Sequence, residues 1–134
     1  MNPLKVVIAG GGTSGHINPA LAIADQIRID HPDAIIRFVG TARGLESQLV
    51  PKAGYEFTPI RARGLPNRIN KAFFAAIADF FAGRAQSRRL LKAFRPDAVV
   101  GTGGYVCSPL VAAAASLDIP VLLHEQNAYP GRSN

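Results

Sequence analysis

The chain has 134 residues, 48% of them hydrophobic and 18% charged, with a formal net charge of +6. That composition excludes intrinsic disorder, and the length suits one packed domain with a real core. The single cysteine, Cys107, excludes an internal disulfide, no apolar run reaches the roughly 20 residues of a membrane helix, and the start "MNPLKVVIAGGG" reads as a strand rather than a secretion signal.

Taken in chain order, apolar runs alternate with helical patterns. "LKVVIAG" (4–10) is a β-branched run and predicts a buried strand. A helix is expected from about Asn18, with Pro19 in its first turn and Leu21, Ile23, Ala24 and Ile27 on its buried side. Pro32 stops it, because the residue before a proline is pushed out of helical geometry. "AIIRFVG" (34–40) predicts the second strand, "GLESQLVPKAG" (44–54) a short helix closed by Gly54, and "YEFTPI" (55–60) the third strand. Residues 61–68 read as a loop and 69–94 as a helix with a break at Gly83. "DAVVGTG" (97–103), "SPLVAAAASLD" (108–118) and "PVLLHEQ" (120–126) predict strand, helix and strand.

This alternation predicts an α/β domain, a doubly wound parallel sheet of Rossmann-like order 3-2-1-4-5. In that order the chain reverses direction between strands one and four, and ligands bind beyond the carboxyl ends of strands at such a switch. Three loops emerge there: "GGGTSGHINP", "GTGGYVCSP" and "HEQNAYPG".

The first loop carries Gly-x-Gly-x-x-Gly at Gly10, Gly12 and Gly15. Such a loop lets backbone approach a phosphate, and the helix behind it offers N–H groups and partial positive charge. A dinucleotide site also wants an acid at the end of the second strand, where this chain reads "VGTARG". A P-loop would need Gly-Lys-Ser/Thr, and Gly15-His16-Ile17 stands instead. His16 at the helix mouth suits a neutral imidazole acting as a base, or a capping residue. Gly103 and Gly104 allow close backbone approach, and Tyr105 beside them either touches ligand or covers the crevice. Glu125 and Asn127 suit hydroxyl recognition, proton transfer or a turn cap. His16, His31 and His124 lack metal-site spacing, and no Asp-x-Asp pair offers a metal–diphosphate site.

Nine of the fifteen basic residues lie between Arg61 and Arg95, against one acid, Asp79. The cluster points to an anionic surface or to a solvated helix face. Within it, Ile69, Phe73, Ile77, Phe80 and Phe81 recur at helical spacing, and Phe74 widens the stripe. An aromatic stripe bracketed by cations suits a helix lying on an anionic membrane; its other reading is core packing.

The stretches "GGGTSGHINPALAIA", "GTARGLESQLVPKAGYEF", "GTGGYVCSP" and "LLHEQNAYPG" resemble, in order and spacing, the N-terminal half of the MurG-type glycosyltransferases of peptidoglycan synthesis. The resemblance runs essentially end to end. It implies the N-terminal, acceptor-binding half of a two-domain GT-B enzyme occupying residues 1–134, truncated near its end, with the donor-binding domain absent and the chain alone inactive. The implied reaction transfers N-acetylglucosamine from UDP-N-acetylglucosamine to the 4-hydroxyl of undecaprenyl-diphosphate-linked N-acetylmuramyl-pentapeptide, with inversion, no cofactor and no metal. The first loop is implied to cradle the acceptor diphosphate. Thr13, Ser14, Gly15 and Asn127 align with donor contacts, and His16, Tyr105 and Glu125 with cleft residues of acceptor handling or catalysis. The family often has Gly at the position of Ser14. A lipid-linked acceptor implies peripheral work at the cytoplasmic face of the membrane, and the aromatic stripe with its flanking cations makes residues 69–82 the expected contact; no nucleic-acid partner is expected. The rival readings are a dinucleotide-dependent oxidoreductase domain and a basic surface-binding module.

Overall fold

Val and Ile dominate the runs that become strands, since branched side chains pack well on a pleated surface buried on both sides. In the computed structural model, which describes residues 2–124, they form β1 (Lys5–Ala9), β2 (Ile35–Gly40), β3 (Glu56–Pro59), β4 (Ala98–Gly101) and β5 (Val121–Leu123). All neighbours are parallel, in the order β3-β2-β1-β4-β5, which is the predicted order. β1 is the central strand. Lys5 pairs with Ile35 on one side and Val6 with Ala98 on the other.

Strand alternation splits the core into two layers. Val6 and Ile8 of β1 join Ile36, Phe38 and Val50 beneath α1 (Ser14–Asp30) and α2 (Glu46–Lys52). Val7 and Ala9 join Val39, Leu91, Val99 and Leu110 beneath α3 (Lys71–Phe94) and α4 (Cys107–Ser116). Helices on both faces make the sheet doubly wound, and each large side chain fully buried in it contributes about 1.5–3 kcal/mol.

Two helices differ from expectation. α1 begins at Ser14, not near Asn18, so Thr13 is its N-cap and Pro19 lies inside the helix. The missing Pro19 N–H costs only one hydrogen bond there, and Ile17, Ala20 and Ala24 lock the helix onto the sheet. α3 runs unbroken through Gly83. Its buried stripe is Ala76, Asp79, Gly83, Ser87 and Leu91, mostly small residues that let another chain segment approach. A Cβ on Gly83 would stand 2.0 Å from the Arg61 carbonyl oxygen, so glycine serves close backbone contact rather than a kink. Asn70 caps the helix by accepting the Phe73 N–H at 3.0 Å. Gly54, at φ +92°, ends the α2 turn as expected.

Candidate active site

The first two glycine loops meet at the switch point between β1 and β4. The Gly11 N–H donates to the Gly103 carbonyl at 3.3 Å, and the Thr102 N–H to Ala9 at 2.9 Å. Gly103 and Gly104 have φ of +119° and +96°, a backbone that favours glycine. A Cβ on Gly104 would come within 2.5 Å of the Gly11 carbonyl oxygen, and one on Gly103 within 2.5 Å of the His16 ring. These glycines therefore serve the contact between the loops as well as any approach of ligand. The Cys107 Sγ sits 3.3 Å from the Gly103 carbonyl and 3.5 Å from that of Ala9, fastening the second loop from below.

His16 is the third residue of α1, half-buried between the loops. Its Nδ1 lies 3.0 Å from the Gly11 carbonyl oxygen and 3.4 Å from Thr13 Oγ1. A carbonyl oxygen can only accept, so this bond puts the proton on Nδ1 and leaves the Nε2 lone pair as the basic position. The Thr102 hydroxyl donates to the His16 carbonyl, tying the helix start to β4. Thr13, Ser14 and Gly15 are exposed beside it. Their backbone N–H groups find no acceptor among the described residues, while those of Gly11 and Gly12 are already engaged. Ser14 stands at the first helical position with ordinary backbone geometry, so a side chain there is accommodated without strain.

The residue that sequence reasoning passed over is Glu46. It is 1% exposed. Its Oε2 accepts from the Thr41 N–H at 2.9 Å and the Thr41 hydroxyl at 3.1 Å, and its Oε1 accepts from the Gly12 N–H at 3.3 Å. Gly11, Gly40 and Gly44 all crowd its carboxylate or its stem, so that a Cβ on any of them would come within 2.4 Å of it. An acid does therefore lie beyond the second strand, where the glycine pattern had been read as lacking one. It faces inward and holds the first loop, instead of facing a ribose. Its signal was three glycines gathered near one acid, which only the fold brings together.

Tyr105, 43% exposed, separates two cavities. One, about 410 Å³, is lined by Thr41, Arg43, Arg61, Arg63 and Asp79. The other, about 380 Å³, is largely apolar and lies against Leu65, Ala76, Ile77, Phe80, Phe81 and Pro109. Asp79 is bound by both arginines: Arg61 Nε lies 2.9 Å from Oδ1 and Arg63 Nε 2.7 Å from Oδ2. The Arg61 guanidinium, with help from Arg63 and against the effect of burial, holds the Asp79 carboxyl below the usual carboxylate range. The only acid of the basic cluster is thus consumed by two of its cations. Glu125 and Asn127 lie outside the described residues, as does most of the third loop; its first residue, His124, donates its N–H to the Gly101 carbonyl at 2.8 Å.

Comparison with known proteins agrees with this geometry. The glycosyltransferase family 28 N-terminal domain matches residues 6–134. The UDP-N-acetylglucosamine–N-acetylmuramyl-(pentapeptide) pyrophosphoryl-undecaprenol N-acetylglucosamine transferase of Acetivibrio thermocellus is 48% identical over 98% of the chain, and that of Desulforudis audaxviator 52% identical over 98%. The chain spans 36% and 35% of those two relatives, about a third of their length. The crystal structure of Acinetobacter baumannii MurG superposes with a TM-score of 0.81 at 33% identity, covering 98% of this chain and 38% of that one. A UGT transferase from Siraitia grosvenorii, solved in complex with UDP, shares the fold alone, at 18% identity and a TM-score of 0.61, with 90% of this chain and 27% of that one covered. By fold, by motif and by these matches, the chain belongs to glycosyltransferase family 28, whose N-terminal domain it represents.

Proposed function

We propose that this chain is the acceptor-binding part of an inverting N-acetylglucosaminyltransferase of peptidoglycan synthesis. The donor would be UDP-N-acetylglucosamine, held chiefly by a second domain, and the acceptor undecaprenyl-diphosphate-linked N-acetylmuramyl-pentapeptide. The observation that carries the reading is the fastening of His16. Its Nδ1 bond to Gly11 leaves Nε2 unprotonated in the neutral ring, beside the exposed N–H groups of Thr13, Ser14 and Gly15. Those donors and the α1 N-terminus suit an anionic diphosphate. Nε2 takes the proton of the acceptor 4-hydroxyl as its oxygen bonds to the anomeric carbon. The bond from that carbon to the diphosphate oxygen breaks, UDP leaves, and configuration inverts. Glu125 is the rival base, with Asn127 a donor contact near it, and Tyr105, Gly103 and Gly104 border the acceptor.

In the full-length protein, His16→Ala should lower kcat by roughly 100- to 10,000-fold, the range for a positioned general base, with little change in donor KM. Steady-state kinetics with the lipid-linked acceptor measure this. Retained turnover removes His16 as base and leaves Glu125. The 134 residues alone should transfer nothing.

We place the working protein peripherally, at the cytoplasmic face of the bacterial membrane. No helix among the described residues is long and apolar enough to cross a membrane. The α3 stripe is only partly packed: Phe73 and Phe80 are half-buried, while Phe74 and Phe81 are 62% and 60% exposed and Ile69, just before the helix, is 77% exposed. These apolar groups beside Arg68 and Lys71 support contact with an anionic bilayer.

A further inference from the structure

Gly10, the first glycine of the Gly-x-Gly-x-x-Gly pattern, is buried and does not have a positive φ. Neither the approach of a phosphate nor a left-handed backbone accounts for it. A Cβ at this position would stand 2.0 Å from the Thr102 Oγ1 and 2.7 Å from the His16 carbonyl oxygen. The bare α-carbon therefore opens the space in which those two atoms meet. Thr102 follows the last residue of β4 and is fully buried. Its hydroxyl has two carbonyls within reach, Ala9 at 3.4 Å and His16 at 2.5 Å, and only one proton to donate. The nearer carbonyl, that of His16, takes it. By its place in α1 that carbonyl is also the acceptor for the Ala20 N–H. The Thr102 bond is thus not needed to satisfy a buried oxygen at His16. Its effect is to tie the first turn of α1 to the end of β4.

We propose that Thr102 is a positioning residue for the base. Its hydroxyl fixes the His16 carbonyl group, which is bonded to the α-carbon that carries the imidazole. At the far side of the residue the Gly11 carbonyl fixes Nδ1 at 3.0 Å, and Gly103 closes on the ring so tightly that a Cβ there would stand 2.9 Å from Nε2. A histidine side chain has two torsions. A fixed backbone and a fixed Nδ1 leave neither free, so Nε2 is aimed in one direction. Without the hydroxyl the Nδ1 bond persists, but its pivot is loosened. The second glycine loop hangs from the same point: the Thr102 N–H donates to Ala9, and the next carbonyl, that of Gly103, accepts the Gly11 N–H. The base and the loop that borders the acceptor are therefore carried on one fastening. The inference deepens the transferase reading above and rests on His16 being its base.

Two substitutions separate the hydroxyl from the volume it occupies. Thr102→Val keeps the volume and removes the donor; Thr102→Ser keeps the donor and removes a methyl group. Both are made in the full-length protein and assayed with UDP-N-acetylglucosamine and the lipid-linked acceptor. Thr102→Val should lower kcat by roughly 10- to 100-fold, the scale of a misplacement of about 1 Å, with each KM within about twofold of wild type. Thr102→Ser should keep kcat within about threefold of wild type although its melting temperature falls, because the lost methyl leaves a cavity. A residue that serves only the fold would give the reverse order, with activity following melting temperature. In a His16→Ala background, Thr102→Val should change kcat by less than about twofold, since no base is left to misplace. Should the valine variant not fold, Thr102→Ala read against Thr102→Ser makes the same comparison of hydroxyl lost and hydroxyl kept. The proposal is overturned if folded Thr102→Val turns over like wild type, if Thr102→Ser loses as much kcat as Thr102→Val, or if the two losses multiply in the double variant. Full turnover by His16→Ala refutes the base itself. Full turnover by Thr102→Val beside an inactive His16→Ala refutes the role of Thr102 alone.

Discussion

At the scale of single residues, the first loop is fastened by a buried side chain from α2, Glu46. Glu46 holds the Gly12 N–H, and the neighbouring Gly11 carbonyl holds His16 Nδ1. The carboxylate is thus two bonds of support away from the proposed base, a positioning residue rather than a catalytic one. Glu46→Gln replaces one accepting oxygen with an NH₂ group facing a backbone donor. Stability should fall by about 1–3 kcal/mol, the cost of a buried polar group left without its partner. A loop displaced by about 1 Å can cost roughly 100-fold in rate, so kcat should fall by roughly 10- to 100-fold while acceptor KM changes little. Urea unfolding and steady-state kinetics on the same preparation check this. A less stable variant with unchanged kcat would confine Glu46 to supporting the fold. The glycines, His16 and Tyr105 were legible as residues of the switch-point loops because each stands out within a few residues of sequence. Glu46 was not, because an acid on a short amphipathic helix looks solvated until the fold surrounds it with Gly11, Gly40 and Gly44.

At the scale of elements, α3 is a helix laced to the loop before it. Arg61 and Arg63 grip Asp79, the Arg61 N–H donates to the Gln86 side chain at 2.7 Å, and the bare α-carbon of Gly83 admits the Arg61 carbonyl. The Asp79 carboxyl has its pKa lowered in the fold, chiefly by Arg61. Its stabilising effect is therefore complete above the unfolded carboxylate value of about 4 and is lost as the pH falls through the lower folded value. Asp79→Asn should be less stable near neutral pH, and should lose stability less steeply between about pH 4 and pH 2. Chemical denaturation at a series of acid pH values decides it; parallel slopes for the two proteins would show that the arginines do not bind this carboxylate in solution. The first four strands were legible to within a residue or two, because each is an apolar run that cannot be placed elsewhere; the fifth, expected over 120–126, ends at Leu123. Helix ends were less so. The start of α1 is written in Thr, Ser and Gly, residues of poor helix propensity that nonetheless fill its cap and first turn. The Asp79 pairs join residues 16 and 18 apart across a loop, a spacing with no periodic signal.

At the scale of the whole molecule, Ile69, Phe74, Ile77 and Phe81 form a run of exposed large apolar groups on and just before α3, while Ile29, Ile35 and Leu45 are exposed elsewhere. Ile69 and Phe74 stand clear of the apolar cavity, so they test bilayer contact without altering it. The protein should sediment with phosphatidylglycerol vesicles at low salt and release them as ionic strength rises and the Debye length falls below about 10 Å. Ile69→Ser with Phe74→Ser should weaken vesicle binding by at least tenfold and leave the melting temperature nearly unchanged, as both side chains are exposed. Wild-type indifference to anionic vesicles at low salt would move the membrane contact to another surface. The central position of β1 has a further consequence, for the order in which the molecule assembles itself. One flank of β1 is satisfied early, when β2 follows it out of the ribosome, but the other waits for Ala98 to Gly101. Until then the growing chain carries a half-sheet with an open, hydrophobic strand edge. Parallel pairings of such long separation close slowly, because the loop entropy is lost before the contact repays it. The five-stranded sheet cannot gather its middle before nearly the whole described chain has been made, and the newborn protein is most exposed to aggregation just before its fourth strand arrives.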